Sequence, residues 1–419
     1  MSDWRRIAAR AGAAGLLVVS ALHFALGVHR ARVSGVVDFP IFLDRTRQFR
    51  ETGVLYPDAR DPAAWGPAAA VYKFPPTFAM LLLPFAVPGG EGRAIAGHRA
   101  LQVLLYAGAV ALLLQLLAPR PRATFVVLGL ALALNFEPFF ETLWRLQIET
   151  LLLALVALGL AAIVRGRDGP LGAALAAGAL LKVYPAFLAA YLVVRARWRA
   201  LGVFVLTAAL IGTSAWIVIG SAENRAFWFG VLPTLLAELP TATSENVAPV
   251  RYLQTLAGLD PRAAKQAGQL LSLAVLAVSA WAVGWRLGRR PPSSREGSGF
   301  ALFLPAMLLA LPNGWVNYQL LLLPSLLVLL SYALDTGRHA GWAGAALTSA
   351  YLPLLFYQPC APPDVSWPCA ATPPFLGVVE LPRTVHDAFV SVRGLSTVIV
   401  WVALLRVVWE RKQPARERT

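Results

Sequence analysis

The chain has 419 residues, of which 58% are hydrophobic and only 14% charged, against roughly 25% charged in a soluble domain. This excludes an ordinary soluble globular domain, and the mean hydropathy of +0.61 describes a polytopic membrane protein. The formal charge of +15 would suggest nucleic acid in a soluble chain, but most of the arginine stands in short gaps beside apolar runs, where it orients spans, so no nucleic-acid partner is expected.

A helix needs about twenty apolar residues to cross the hydrocarbon, and shorter runs must be buried, tilted or re-entrant. In chain order the apolar runs are 11–28, 74–87, 101–117, 123–140, 148–164, 171–194, 201–220, 270–287, 300–311, 316–334, 341–356 and 395–408. They predict an all-α integral membrane protein, one domain over 1–419, with about 10–12 transmembrane segments. MSDWRRIAAR precedes the first run and no cleavage site follows it, so the first span is expected to be retained. Run 74–87, short and carrying Pro75, Pro76 and Pro84, is expected to re-enter. Run 171–194 is expected to be two half-spans broken near Lys182 and Pro185, since proline breaks are tolerated where neighbouring protein satisfies the freed backbone groups.

Arg5, Arg6, Arg120, Arg122, the gaps 165–169, 195–199 and 286–295, and the basic tail 410–419 belong in the cytoplasm by the positive-inside rule. Loops 29–73, 221–267 and 357–394 then face outside and carry short helices, together with the gaps 135–147 and 312–317. Polar aromatic material therefore gathers on one extracytoplasmic face of the membrane.

The interval 37–76 carries the first candidates. Asp38 follows an apolar GVV at the membrane rim, and Asp44 lies six residues on. A carboxylate at such a rim is a candidate general base, because partial desolvation raises its pKa toward the working range. The plainer alternative is a helix N-cap or an ion pair with Arg45 or Arg47. Tyr72 and Lys73 bring a cation back to the membrane, where it could hold a lipid phosphate or merely snorkel. Glu137, Glu141, Arg145 and Gln147 crowd a short gap between two spans, more densely than a plain hairpin needs.

Lys182 interrupts the apolar GALLKVYPAFLAAYL. An ionisable residue at such depth is a functional-site candidate by default, and a phosphate contact is preferred here to a structural ion pair. Trp315, Asn317 and Tyr318 suit stacking and hydroxyl recognition of a sugar, and Asn246 and Arg251 share their face. Cys360 and Cys369 are a candidate disulfide, which requires an oxidising compartment. Walker A, GxSxG, HExxH and Rossmann patterns are absent, as is Asp-x-Asp, so a metal-held nucleotide-sugar donor lacks its signature.

The stretches VDFPIFLDRTRQFRETGVLYP with YKFPPTFAMLLLPFA, the long run from LWRLQIETLLLALVALGLAAIVRGRDG to LLKVYPAFLAAYLVVRARWR, SENVAPVR, and LLALPNGWVNYQLLLLPSLL together resemble glycosyltransferase family 87, over about residues 35–335. The resemblance implies a GT-C fold and transfer of a sugar, typically mannose, from a polyprenyl phosphate without a metal or other cofactor. It maps the catalytic Asp of the first extracytoplasmic loop onto Asp38, with Asp44 as second choice. It gives the leaving phosphate to Lys73, Lys182, Arg145 and Arg251, and the sugar or acceptor to Tyr72, Glu137, Gln147, Asn246, Trp315, Asn317 and Tyr318. The acceptor would be a glycolipid or envelope glycan, the membrane the cytoplasmic one, and the partners membrane lipids and the lipid-linked donor. Leu146 stands where the family commonly has Gly, and Asn317-Tyr318 where His is common. A lipid-linked glycan transporter and an envelope-glycan polymerase or ligase are the competing readings.

Overall fold

The structure is a computed structural model that describes residues 3–33, 38–57, 72–118, 122–242, 246–287, 294–336, 341–355 and 383–410. Cys360 and Cys369, the middle of the first loop and the basic tail lie outside the described residues. Within them the chain is helical, with an isolated β-bridge between Asn246 and Trp315.

The long α1 (Asp3–Val33) is followed by the short α2 (Phe39–Thr52) and α3 (Pro76–Leu82), then by the long α4 (Glu91–Leu117). Helices α5 (Arg122–Leu134) and α6 (Glu137–Arg145) form a pair bent by 40°. Next come α7 (Glu149–Val164), α8 (Asp168–Leu181), a 3₁₀ turn at Tyr184–Leu188, α9 (Ala189–Val194) and α10 (Trp198–Ile219). The short α11 (Ser221–Ala226), α12 (Leu232–Ala237) and α13 (Pro249–Thr255) lead to α14 (Pro261–Leu287) and α15 (Ser294–Leu309). A 3₁₀ turn at Val316–Leu322 runs into α16 (Leu323–Thr336), and α17 (Gly341–Tyr351) and α18 (Arg383–Glu410) complete the order.

Among the described residues, six helices are long and apolar enough to cross a membrane, or seven if the bent pair is one span. The other apolar runs are also helical but short: α7, α8, α15 and the unit Tyr184–Val194. At 1.5 Å per residue, the 14 residues of α8 rise about 21 Å, well short of the roughly 30 Å of hydrocarbon. The chain is an integral membrane protein in which these short helices pack inside the long ones.

The expected break in 171–194 falls at Lys182. Its backbone is extended (φ −152°, ψ 126°), and Pro185, in the first turn of the 3₁₀ segment that follows, lacks the N–H that a continuous α-helix would give to the Leu181 carbonyl. Helix α8 is Gly- and Ala-rich on the side that meets α10, and a Cβ on Gly172 would run into the Ala200 carbonyl. Small residues of this kind let membrane helices approach closely and supply van der Waals contact where lipid offers no hydrophobic drive. Helix α7 is apolar around its whole girth and is buried on most of it, against α4, α8 and α15.

One polar feature of the interior was expected only as loose surface charge. Arg195 and Arg197, read from sequence as orientation residues, meet around Glu296 of α15, the first buried and the second partly buried. Arg197 donates to Glu296 Oε2 at 2.7 Å and to Asp168 Oδ1 at 2.5 Å, and Arg195 Nε lies 3.3 Å from Glu296 Oε1. This clamp ties the α7–α8 and α9–α10 junctions to α15. Exposed tryptophans cluster at the same end: Trp198 opens α10, Trp285 closes α14, and Trp409 closes α18 under the Arg286 guanidinium. Trp and Arg so placed mark a membrane interface.

Candidate active site

The site forms at the opposite end of α8, where four separate parts of the chain converge. The first part is the start of α2. Pro40 in its first turn presets helical backbone and Gly53, at φ 73°, ends it. Asp38 occupies the N-cap position but makes no capping hydrogen bond with its side chain. Instead its Oδ2 accepts from Gln147 Nε2 at 2.7 Å, and Arg145 Nη1 stands 4.0 Å away. The Asp38 side chain is 20% exposed. Burial pushes its carboxyl above the usual carboxylate range, against the opposing pull of Arg145, the Gln147 hydrogen bond and Lys182.

The second part is the α6–α7 junction. Helix α6 begins with Pro138 in its first turn and closes at Leu146 in the left-handed conformation (φ 51°, ψ 43°), with the Gln147 N–H donating to Thr142 O at 3.1 Å. Left-handed backbone is where glycine is favoured, which explains why a Gly is common there in the resembled family. Leu146 is fully buried, and its own side-chain packing offsets the strain. The sharp turn puts Arg145, Gln147 and Glu149 on one wall. Arg145 Nε also donates to Glu141 Oε1 at 2.6 Å.

The third part is the α8 break. Lys182 Nζ is ion-paired with Glu149 Oε1 and lies 3.5 Å from Gln147 Oε1. The fourth part is the 3₁₀ turn at Val316–Leu322, whose Tyr318 ring lies 4.2 Å under the Lys182 ammonium and stacks on Tyr184 at 5.1 Å. Phe74 covers the ammonium from the first loop at 5.1 Å. Asp38, Arg145, Gln147, Lys182 and Tyr318 are thus brought together.

The remaining candidates lie elsewhere. Asp44 is 75% exposed, 3.8 Å from Arg47, which is the ion-pair alternative raised by the sequence. Lys73 pairs with Glu238 at 3.2 Å, half-exposed, and Tyr72 is buried in an aromatic cluster with Phe42, Tyr56 and Phe74. Glu223 anchors that loop by accepting the N–H groups of Leu55 and Tyr56. Glu137 is buried at the start of α6, and Arg251 sits on α13 beside Tyr252. Asn317 is buried with its carbonyl 3.5 Å from the Thr142 hydroxyl, and Trp315 is half-buried in the bridge to Asn246.

Asn246 uses all four of its hydrogen-bonding positions on the chain, donating to Thr241 O and Asn313 Oδ1 and accepting from Ala248 N and Gly314 N. It is a staple between two outer loops. Glu149 was missed by the sequence reading. The signal was present: it is a carboxylate two residues after Gln147 at the mouth of an apolar run, the same rule that singled out Lys182.

Residues 72–312, more than half of the chain, match the model of glycosyltransferase family 87. The chain belongs to that family. A family 87 glycosyltransferase is an enzyme, and the polar cluster above is the strongest candidate for its active site. No curated protein matches the chain. Among solved structures, ArnT from Cupriavidus metallidurans bound to undecaprenyl phosphate resembles this family 87 chain at 15% identity and a TM-score of 0.44, over 94% of this chain and 77% of that one.

Proposed function

We propose that the enzyme is an inverting transferase of GT-C type that moves a mannosyl residue from a polyprenyl phosphate to a glycolipid or envelope-glycan hydroxyl, at the extracytoplasmic face of the cytoplasmic membrane. The observation that carries this reading is the Asp38 carboxylate, held at a partly exposed rim by one hydrogen bond from Gln147 and flanked by Arg145. Asp38 takes the proton of the acceptor hydroxyl as the acceptor oxygen bonds to C1 of the sugar. The C1–O bond to phosphate breaks on the opposite face of the sugar, and the phosphate leaves with the electron pair. Arg145 is the cation nearest this event and meets the charge that builds on the phosphate, so the step calls for no metal. Tyr318 offers aromatic surface to the sugar.

The side of the membrane is supported by the Trp and Arg band at the far end of α8, taken as the cytoplasmic interface. The test is transfer from radiolabelled polyprenyl-phosphate mannose into membrane lipid by purified wild type, Asp38→Asn and Asp44→Asn. Transfer lost only in Asp38→Asn supports the reading. No transfer by wild type from this or any other polyprenyl-phosphate sugar would overturn it.

A further inference from the structure

Glu149 takes no part in the reaction just described, yet it is fully buried, with Oε1 on Lys182 and Oε2 without a hydrogen-bond partner. A carboxylate and an ammonium are costly to bury, and such pairs persist best where they fix a geometry. The geometry here is that of the Gln147 amide. An amide has an accepting end and a donating end, and which way it points is set by its neighbours. Lys182 can only donate, so it takes the Gln147 carbonyl, at 3.5 Å. This forces the Gln147 NH₂ toward Asp38, to which it donates at 2.7 Å. With the amide reversed, a carbonyl oxygen would face the Asp38 carboxylate and an NH₂ would face the ammonium.

Lys182 is itself enclosed. Glu149, Gln147 and the Tyr318 side chain take its polar contacts, and the rings of Tyr318, Phe74 and Tyr184 lie 4.2, 5.1 and 5.8 Å from its nitrogen. A donor phosphate could reach it only by displacing one of these partners.

We infer that Glu149 and Lys182 are positioning residues that act through the Gln147 amide to aim and hold the Asp38 carboxylate, and that Lys182 is not a ligand of the donor phosphate. The inference rests on the reading of Asp38 as the base. The groups facing Asp38 are Arg145 and Glu141 on α6, Gln147 and Lys182, with Tyr318 from the 3₁₀ turn and His98 of α4 packed on Phe39. Removing Lys182 takes away a cation and the anchor of the Gln147 amide that donates to Asp38, so the carboxyl titrates higher.

The experiment compares wild type, Lys182→Met and the charge-balanced double variant Glu149→Gln with Lys182→Met, each with and without Asp38→Asn. It reads kcat, the KM for polyprenyl-phosphate mannose and the pH–rate profile. It also reads, without turnover, the pH at which Asp38 titrates, from the difference in thermal midpoint between each protein and its Asp38→Asn counterpart. The double variant is expected to recover the thermal midpoint lost in Lys182→Met, to stay about 10- to 100-fold low in kcat, to keep its donor KM within about twofold, and to titrate Asp38 at higher pH. Recovery of kcat together with stability would reduce the pair to a structural role. A donor KM raised about tenfold or more, with the titration unmoved, would make Lys182 a phosphate ligand. Full activity in Asp38→Asn alone would instead overturn the base, and the titration readout would still decide whether the pair acts on Asp38.

Discussion

Each end of α8 carries a polar cluster, and the two are built on different rules. At one end Asp168, Arg195, Arg197 and Glu296 balance two cations with two carboxylates, and Glu296 takes charged hydrogen bonds from both arginines. At the other end, among the described residues, the Asp38 side chain accepts one hydrogen bond, does not cap α2 and is partly open. A closed network of charges stabilises the positions of helices, whereas a carboxylate left short of partners keeps its basicity for a substrate.

The sharpest way to break the comparison is to neutralise each end in turn. Asp38→Asn should lower transfer by about 10²- to 10⁴-fold, the usual worth of a general base, with folded protein still recovered. Glu296→Gln should do the reverse. It leaves Arg195 buried without its counter-charge, a loss of about 3–5 kcal/mol, and should reduce the yield and thermal midpoint while kcat per folded molecule stays near wild type.

A smaller effect comes from pH. Because burial raises the folded-state pKa of Asp38, its contribution to stability is fully present below the unfolded carboxylate value, about 3.9, and is lost as pH rises through the raised value. The Asp38→Asn protein should therefore gain in thermal midpoint relative to wild type as pH rises from about 4 through the raised value, and the wild-type rate should climb over the same limb. Midpoints that stay parallel across that range would show that the carboxyl is not perturbed. The smallest effect belongs to Asp44→Asn, whose exposed side chain should change stability by less than about 0.5 kcal/mol and leave transfer within about twofold.

Much of this architecture was legible in the sequence. Apolar runs announced the helices, Pro185 announced the break at Lys182, and the polar density around Arg145 and Gln147 announced the polar cluster found there. Depth was less visible: hydropathy does not distinguish a helix that spans from one, like α7 or α8, that is apolar because protein surrounds it. Pairings across long separations were not visible at all. Lys182 could be recognised as costly, but its partner Glu149 lies 33 residues earlier, and nothing local in RARWR reveals that Glu296 will meet it. The family resemblance gave Asn246 to the sugar or acceptor, whereas its amide is consumed by Thr241, Asn313, Ala248 and Gly314.

The shortness of α8 has a consequence for how substrate is counted. A helix of about 21 Å that starts at the Trp and Arg interface ends roughly 9 Å below the far edge of the hydrocarbon. On the proposed reading, a sugar carried on a lipid would approach Asp38 by sliding sideways within the bilayer, not by falling in from water. For such a donor the saturation curve should collapse onto mole fraction in the bilayer, and dilution with inert lipid should slow the enzyme at constant bulk concentration.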